Sequence, residues 1–230
     1  MSGAAPVLEL IDALADPAQS GLPSVPVDIS LMPGDCALID TRDQPLAAEF
    51  ADLCCGLVPL RGGHVRFLGR DWAEISEEQA AALRGRIGRM SQAGSWIDFL
   101  GTDVNILLSQ LHHTTRAESI LRERAADLAR RFALPGLPLA RPAELTAEDL
   151  ARAACVRAFL GEPLMILLES PAQGRFVDLM PSLLEAVVES RDRGATVIWL
   201  TRSDMVWADH AFPATVRLRF MERGLMPVRN

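Results

Sequence analysis

Leu164–Leu168 is apolar at every position, and Thr196–Leu200 is again apolar and β-branched. Runs of this kind read as strands covered on both faces, which is the environment of a parallel strand inside a sheet. The stretch between them, 177–193, reads as a helix, and Gly194 leads out of it into the second strand. Strand, crossover helix and strand together commit the second half of the chain to a doubly wound α/β sheet. A length of 230 residues suits one such domain and is ample to bury a core.

The first half supplies the rest of the pattern. Val7–Ile11 and Val25–Leu31 read as strands separated by the turn-rich segment 16–23, and Pro33-Gly34-Asp35 is a tight turn into a further strand, Cys36–Ile39. Leu46, Phe50, Leu53 and Cys54 recur at helical spacing over Leu46–Cys55, with Pro45 favourable in the first turn. Gly62-Gly63 and Gly69 bracket a short strand, His64–Leu68, and Ser76 caps a helix that carries Glu77 and Glu78 in its first turn. Arg116–Ala133 is helical up to the breaker 134–138, and Thr146–Phe159 is a second helix with Thr146 as its cap. The fold class is therefore α/β: a mostly parallel sheet with an antiparallel β edge, in one domain over 1–230 that contains a helical subdomain at about 93–160.

Composition removes whole classes of function. No apolar run approaches the roughly 20 residues of a membrane helix. Met1–Leu14 contains Glu9 and Asp12 but no basic residue, unlike a secretory signal, so a cytosolic location is expected. Thirty acids against 23 bases give a net charge of −7, which argues against a general nucleic-acid partner. All 23 bases are arginine, so mechanisms that need a lysine are excluded, Schiff-base chemistry and the lysine of phosphate loops among them. Cys36, Cys54, Cys55 and Cys155 form no C-x-x-C pair and read as buried packing. His64, His112, His113 and His210 make no metal-spaced set, and His112-His113 reads as part of a loop.

In order and spacing these segments resemble the nucleotide-binding subunit of ABC transporters along nearly the whole chain. Pro33-Gly34-Asp35 is similar to the P-G-E turn that precedes the family's phosphate-loop strand, and Cys55-Gly56-Leu57 to the A-G-L after the next helix. Gly63–Phe67 with Gly69 resembles the G-x-V-x-F-x-G hairpin, and Arg86–Gln92 the strand into the Q-loop. Asn105 stands at the family's E-N pair, and Leu145–Asp149 stands at the signature L-S-G-G-Q, followed in register by Arg152 and Arg157-Ala158. Leu164–Pro171 falls on the Walker B strand, and Thr196–Arg202 on the strand that ends in the switch histidine.

The resemblance holds in the framework and fails in the chemistry. Residues 41–49 occupy the place of G-x-x-G-x-G-K-S-T without a gap, yet contain no glycine to curl backbone N–H groups round a phosphate, and Pro45 has no N–H to offer. Ala47 replaces the lysine and Ala48 the magnesium-binding hydroxyl, and Glu49 adds to the charge of Asp40 and Asp43, with Arg42 as the one opposing base in the segment. Glu169 stands at the magnesium aspartate and Ser170 at the general-base glutamate, a hydroxyl that does not take a proton from water at neutral pH. Arg202 replaces the switch histidine with a permanent cation. Glu148 and Asp149 put carboxylates where the signature faces the γ-phosphate, and also suit a capped helix start. No aromatic residue precedes Phe50 to stack an adenine.

The resemblance therefore implies a degenerate cassette subunit, a pseudo-ATPase that works by association and needs no cofactor. Its partners are an ABC membrane permease subunit and a second nucleotide-binding subunit, identical or not, at the cytoplasmic face of the membrane. Residual contacts to a nucleotide would fall to Gln92, Arg42 and Arg202, and to a metal to Glu169. Permease docking would involve the groove over Gln92–Leu108, with Trp96, Ile97, Phe99 and Leu100 as apolar contacts, unless those four fill the core between lobes. Two rivals remain: a weakly active ATPase using ATP and magnesium, and a soluble regulator outside transport.

Overall fold

A computed structural model describes residues 5–41, 44–91, 94–171, 177–221 and 223–228. The chain opens with β1 (Leu8–Ala15) and β2 (Val27–Leu31), then β3 (Cys36–Asp40) and α1 (Gln44–Cys54). β4 (Leu60–Phe67) turns through Leu68-Gly69 into the two-residue β5 (Arg70–Asp71), and α2 (Glu77–Arg84) leads to β6 (Ile87–Met90). Three helices follow, α3 (Thr102–His113), α4 (Glu118–Arg131) and α5 (Ala147–Phe159). After them come β7 (Met165–Glu169), α6 (Met180–Asp192), β8 (Thr196–Thr201), α7 (Asp204–Ala208), β9 (Val216–Met221) and β10 (Gly224–Pro227).

These strands form two sheets. One is antiparallel in the order β2-β1-β4-β5; the other runs β10-β9-β3-β8-β7-β6, parallel throughout except for the β9–β10 hairpin. The central strands are apolar at consecutive positions because each face of the larger sheet meets its own core. Ala37, Ile39, Met165, Leu167, Ile198 and Leu200 pack with α1 and the antiparallel sheet. Leu38, Ile166, Leu168, Val197 and Trp199 pack with the helices on the other face. Alternation along a strand thus sends neighbouring residues into different cores, and a polar side chain at either position would be buried.

Local chemistry sets the ends of the elements. Ser76 accepts from Gln79 N while the Gln79 side chain accepts from Ser76 N, a reciprocal cap for α2. Thr146 accepts from Asp149 N at 3.1 Å and caps α5. The β3, α1, α4, α5, β7, α6 and β8 segments lie where the apolar spacing puts them.

Other boundaries differ from the sequence expectation. β1 does not stop at Ile11 but continues to Ala15 through an irregularity at Asp12, where φ is +47°. Gly63 lies opposite that irregularity, where a Cβ would stand 2.0 Å from the Asp12 carbonyl oxygen. The Gly62-Gly63 pair therefore belongs inside β4, accommodating a bulge, and does not begin it. His112 and His113 are not in a loop; they end α3, where basic side chains face the negative helix terminus. α7 and the β9–β10 hairpin have no counterpart in the sequence reading. Among the described residues no helix is long and apolar enough to cross a membrane.

His113 packs so closely on Gly85 that a Cβ there would lie 2.5 Å from its own. Partial burial, followed by the charges of His112 and Arg84, lowers the His113 pKa below its ordinary value. Its neutral form is favoured in the folded chain, so stability is complete above about pH 6.5 and declines as the pH falls and the unfolded chain takes up the proton first. Urea unfolding of His113→Asn is expected to show a smaller loss of midpoint between about pH 7.5 and 5.5 than wild type; an identical loss would exclude this origin.

Candidate functional site

In open α/β sheets ligands lie outside the carboxyl ends of the strands. Here those ends bring together Asp40-Thr41 after β3, Glu169-Ser170 after β7, Thr201-Arg202 after β8 and Ser91 after β6. Only three residues, 41–43, separate β3 from α1, so positions 44–49 are already helical where the resembling family has its glycine-rich loop. Ala47 is 1% exposed and faces the core beneath α1. Arg42, Asp43 and Gln92, three of the residues singled out from the sequence, lie outside the described residues.

A guanidinium dominates the site. The pleat places Arg89 opposite Leu167, so it shares the α1 face with Glu169, two residues farther along β7. Arg89 Nε donates to Glu169 Oε1 at 2.6 Å, Nη1 to Asp52 Oδ1 at 2.5 Å and Nη2 to the Ala48 carbonyl at 3.4 Å. One side chain thus joins β6 to β7 and to α1, using the rigid fork of donors that arginine carries. Burial opposes the positive charge, but Glu169 and Asp52 overcome it and hold the Arg89 pKa above its ordinary value. The Glu169 side chain is only 4% exposed. Its carboxylate is satisfied from within the chain.

A second pair lies beside it. Asp40 and Arg219 are direct neighbours across β3 and β9, and Arg219 Nε donates to Asp40 Oδ2 at 2.7 Å. Asp40 is therefore neutralised from a strand far away in sequence. The Thr41 and Ser170 hydroxyls are buried and have no hydrogen-bond partner among the described residues, and Ser170 adopts a φ of +48°. Arg202 follows β8 at the surface.

The segment after Gln92 is pinned from two helices. From α5, Arg157 donates to the carbonyls of Gly94 and Ser95 and lies 4.3 Å from the centre of the Trp96 ring. Burial, then the nearby Arg89 charge, lowers the Arg157 pKa to about 10, which leaves it charged at neutral pH. From α3, Asn105 accepts from Ile97 N at 2.8 Å and donates to the carbonyls of Ile97 and Gly101 at 3.1 and 3.0 Å. Trp96 packs half-buried against the helical core, Ile97 and Leu100 are half-buried, and Phe99 is 77% exposed. Of the four apolar candidates, then, Trp96 is held largely from within and Phe99 faces outward. Asn105→Ala removes four hydrogen-bonding roles from a residue 4% exposed. A loss of about 1–3 kcal/mol in denaturant unfolding is expected, with faster amide exchange at 97–101.

Sequence reasoning missed Arg89 and Arg219. The available signal was a single arginine in the short strand β6 and two, Arg217 and Arg219, alternating with apolar residues in β9; the partners were not legible, because they sit 37, 80 and 179 residues away.

This arrangement is the fold of the ATP-binding cassette of ABC transporters. The dimeric bacterial ABC transporter cassette MJ0796 superposes with a TM-score of 0.79 at 16% identity, over 97% of this chain and 99% of that one. An ATP-binding subunit of an ABC transporter gives 0.78 at 17% identity, over 96% and 90%. No protein-family model matches the chain. In sequence it is similar to ATP-binding subunits of ABC transporters. The glutamate/aspartate import ATP-binding protein GltL of Escherichia coli is 25% identical over 171 residues, 74% of this chain and 68% of that protein. The arginine transport ATP-binding protein ArgV of Corynebacterium glutamicum is 29% identical over 128 residues, 56% and 50%. The intermembrane phospholipid transport system ATP-binding protein MlaF of Haemophilus influenzae is 26% identical over 113 residues, 49% and 43%. The matched stretch is thus about half or less of two of these relatives.

Proposed function

We propose that this chain is a non-hydrolysing cassette subunit of an ABC transporter, acting through association with a membrane permease and a second nucleotide-binding subunit at the cytoplasmic face. The observation that carries the reading is the Arg89 cluster: an internal guanidinium holds Glu169, the carboxylate that would otherwise be offered to a metal. A magnesium-bound nucleotide does not fit the residues at the strand ends. Pro45 in the first helical turn offers no N–H, and buried Ala47 stands where a phosphate-binding lysine would be needed. Ser170 in place of a carboxylate removes the general base, worth about 10²–10⁴ in rate.

The kept framework and the exposed Phe99 beside the segment held by Asn105 and Arg157 support a docking role. The cargo differs among the relatives. The isolated protein is expected to release no phosphate from magnesium-ATP, and affinity purification from detergent-solubilised membranes to recover a permease. Turnover that disappears on Glu169→Gln would sink the non-hydrolysing reading. Recovery of soluble protein alone would sink the transporter reading in favour of a regulator.

A further inference from the structure

A cavity of about 300 Å3 lies where the end of α1 turns into β4, with Asp71 of β5 and Trp72 on its other side. Buried Leu53, Val58 and Val65 form its floor, half-buried Leu60 and Trp72 its walls, and Leu57, 53% exposed, its mouth. An apolar cavity of about 150 Å3 is enough to hold benzene, and ligand pockets begin at about 300 Å3.

The walls are fixed from outside the cavity, so it does not close up on itself. Gly56 has a φ of +65°, and a Cβ there would stand 2.3 Å from the Trp72 ring. Trp72 Nε1 donates to the Cys54 carbonyl at 3.2 Å, its ring stacks on Phe67, and the Arg84 guanidinium lies over it, 5.2 Å from the ring centre. Arg84 in turn donates to the carbonyls of Cys55 and Gly56 at 3.0 and 3.1 Å. Asp71 Oδ1 accepts from Ala73 N at 3.0 Å, and His64 Nδ1 and Arg66 Nε lie 2.6 and 3.8 Å from Oδ2. The carbonyls that end α1 and the carboxylate at the wall thus have their partners inside the chain, and an occupant meets no unpaired charge. Water would meet a floor without the two to four polar partners that an ordered molecule needs.

We propose that this cavity binds a neutral molecule through an unbranched apolar chain of about six to eight carbons, its polar end left in solvent past Leu57. With Phe67 stacked on the Trp72 ring and Arg84 over it, little of that ring is left for a planar ligand to stack on. A flexible chain lies against its edge and the aliphatic floor instead. Burial of apolar surface is the driving force, so neither a phosphate nor a free carboxylate is a ligand of this site. Occupancy ties the end of α1 to the antiparallel sheet.

The test is titration of the full chain with straight-chain 1-alkanols from butanol to decanol, read by calorimetry and by melting temperature. Saturable binding is expected, tightening about fourfold per added methylene. The gain should level off at about eight carbons, because further methylenes stay in water. Ala73 lines the cavity and is exposed; Ala73→Leu fills part of the space and is expected to weaken 1-octanol at least tenfold. Leu57→Asp sets a charge at the mouth and is expected to weaken it as much, whether or not Ala73→Leu folds. Ile120→Ala, on the exposed side of α4, serves as the remote control and should bind as wild type. Binding that does not saturate, a fourfold gain that continues through decanol, or wild-type affinity in folded Ala73→Leu or Leu57→Asp overturns the site.

Discussion

Arg89→Met is expected to destabilise the protein by about 3–5 kcal/mol in urea unfolding, because it leaves the Glu169 carboxylate buried without its counter-charge. Removing one partner of a buried pair costs more than the pair contributes, since the remaining group keeps its desolvation penalty and loses its compensation. The double variant Arg89→Met/Glu169→Leu is therefore expected to recover most of the loss. Asp52, half-exposed at the other end of the cluster, is solvated once released and adds little to the cost. A single variant within about 1 kcal/mol of wild type would mean that water already satisfies Glu169. The Arg89 cluster would then be incidental.

Ala47→Lys is expected to lower stability by several kcal/mol and to give no micromolar binding of ATP. The substitution restores the residue that the cassette alignment lacks, but Ala47 faces the core under α1 and is 1% exposed. An ammonium placed there is either buried without a partner or displaces the first turns of the helix. Even a well-placed lysine would contribute roughly 1.5–3 kcal/mol, one to two decades of affinity. Neither the backbone cradle nor an adenine platform would accompany it. Saturation by fluorescent ATP at micromolar concentration would overturn the proposal that nucleotide is not held at this site.

The framework was legible because it depends on patterns that the chain carries locally. The apolar runs of β7 and β8 announce a sheet with a core on each face, and Ser76 and Thr146 announce the starts of α2 and α5. The antiparallel additions were harder to read. The irregularity at Asp12 breaks the alternation of β1, and β10 is only four residues long, with two of them exposed. At the candidate site the sequence alone shows that no lysine is available, since that absence needs no geometry. The contacts that the site does hold could not be read. Arg89 lies in a strand whose sequence shows only one charge among apolar neighbours, and Glu169, Asp52 and Ala48 meet it through the sheet register and the seating of α1. Arg219 and Asp40 meet for the same reason: they face each other across parallel strands that the chain visits far apart.

That separation governs how the molecule is made. β3 lies between β8 and β9, and Cys36 N donates to Thr215 Oγ1 across 179 residues of sequence. At about 5–20 residues per second, a ribosome takes roughly 10–35 s to supply the second of these residues after the first. For most of that interval, until β8 is made, the strand Cys36–Asp40, whose first four residues are fully buried in the finished protein, lacks both of its neighbours. An apolar strand with two open edges is a template for pairing with other chains. The growing chain therefore carries this open-edged strand until β8 and β9 are made.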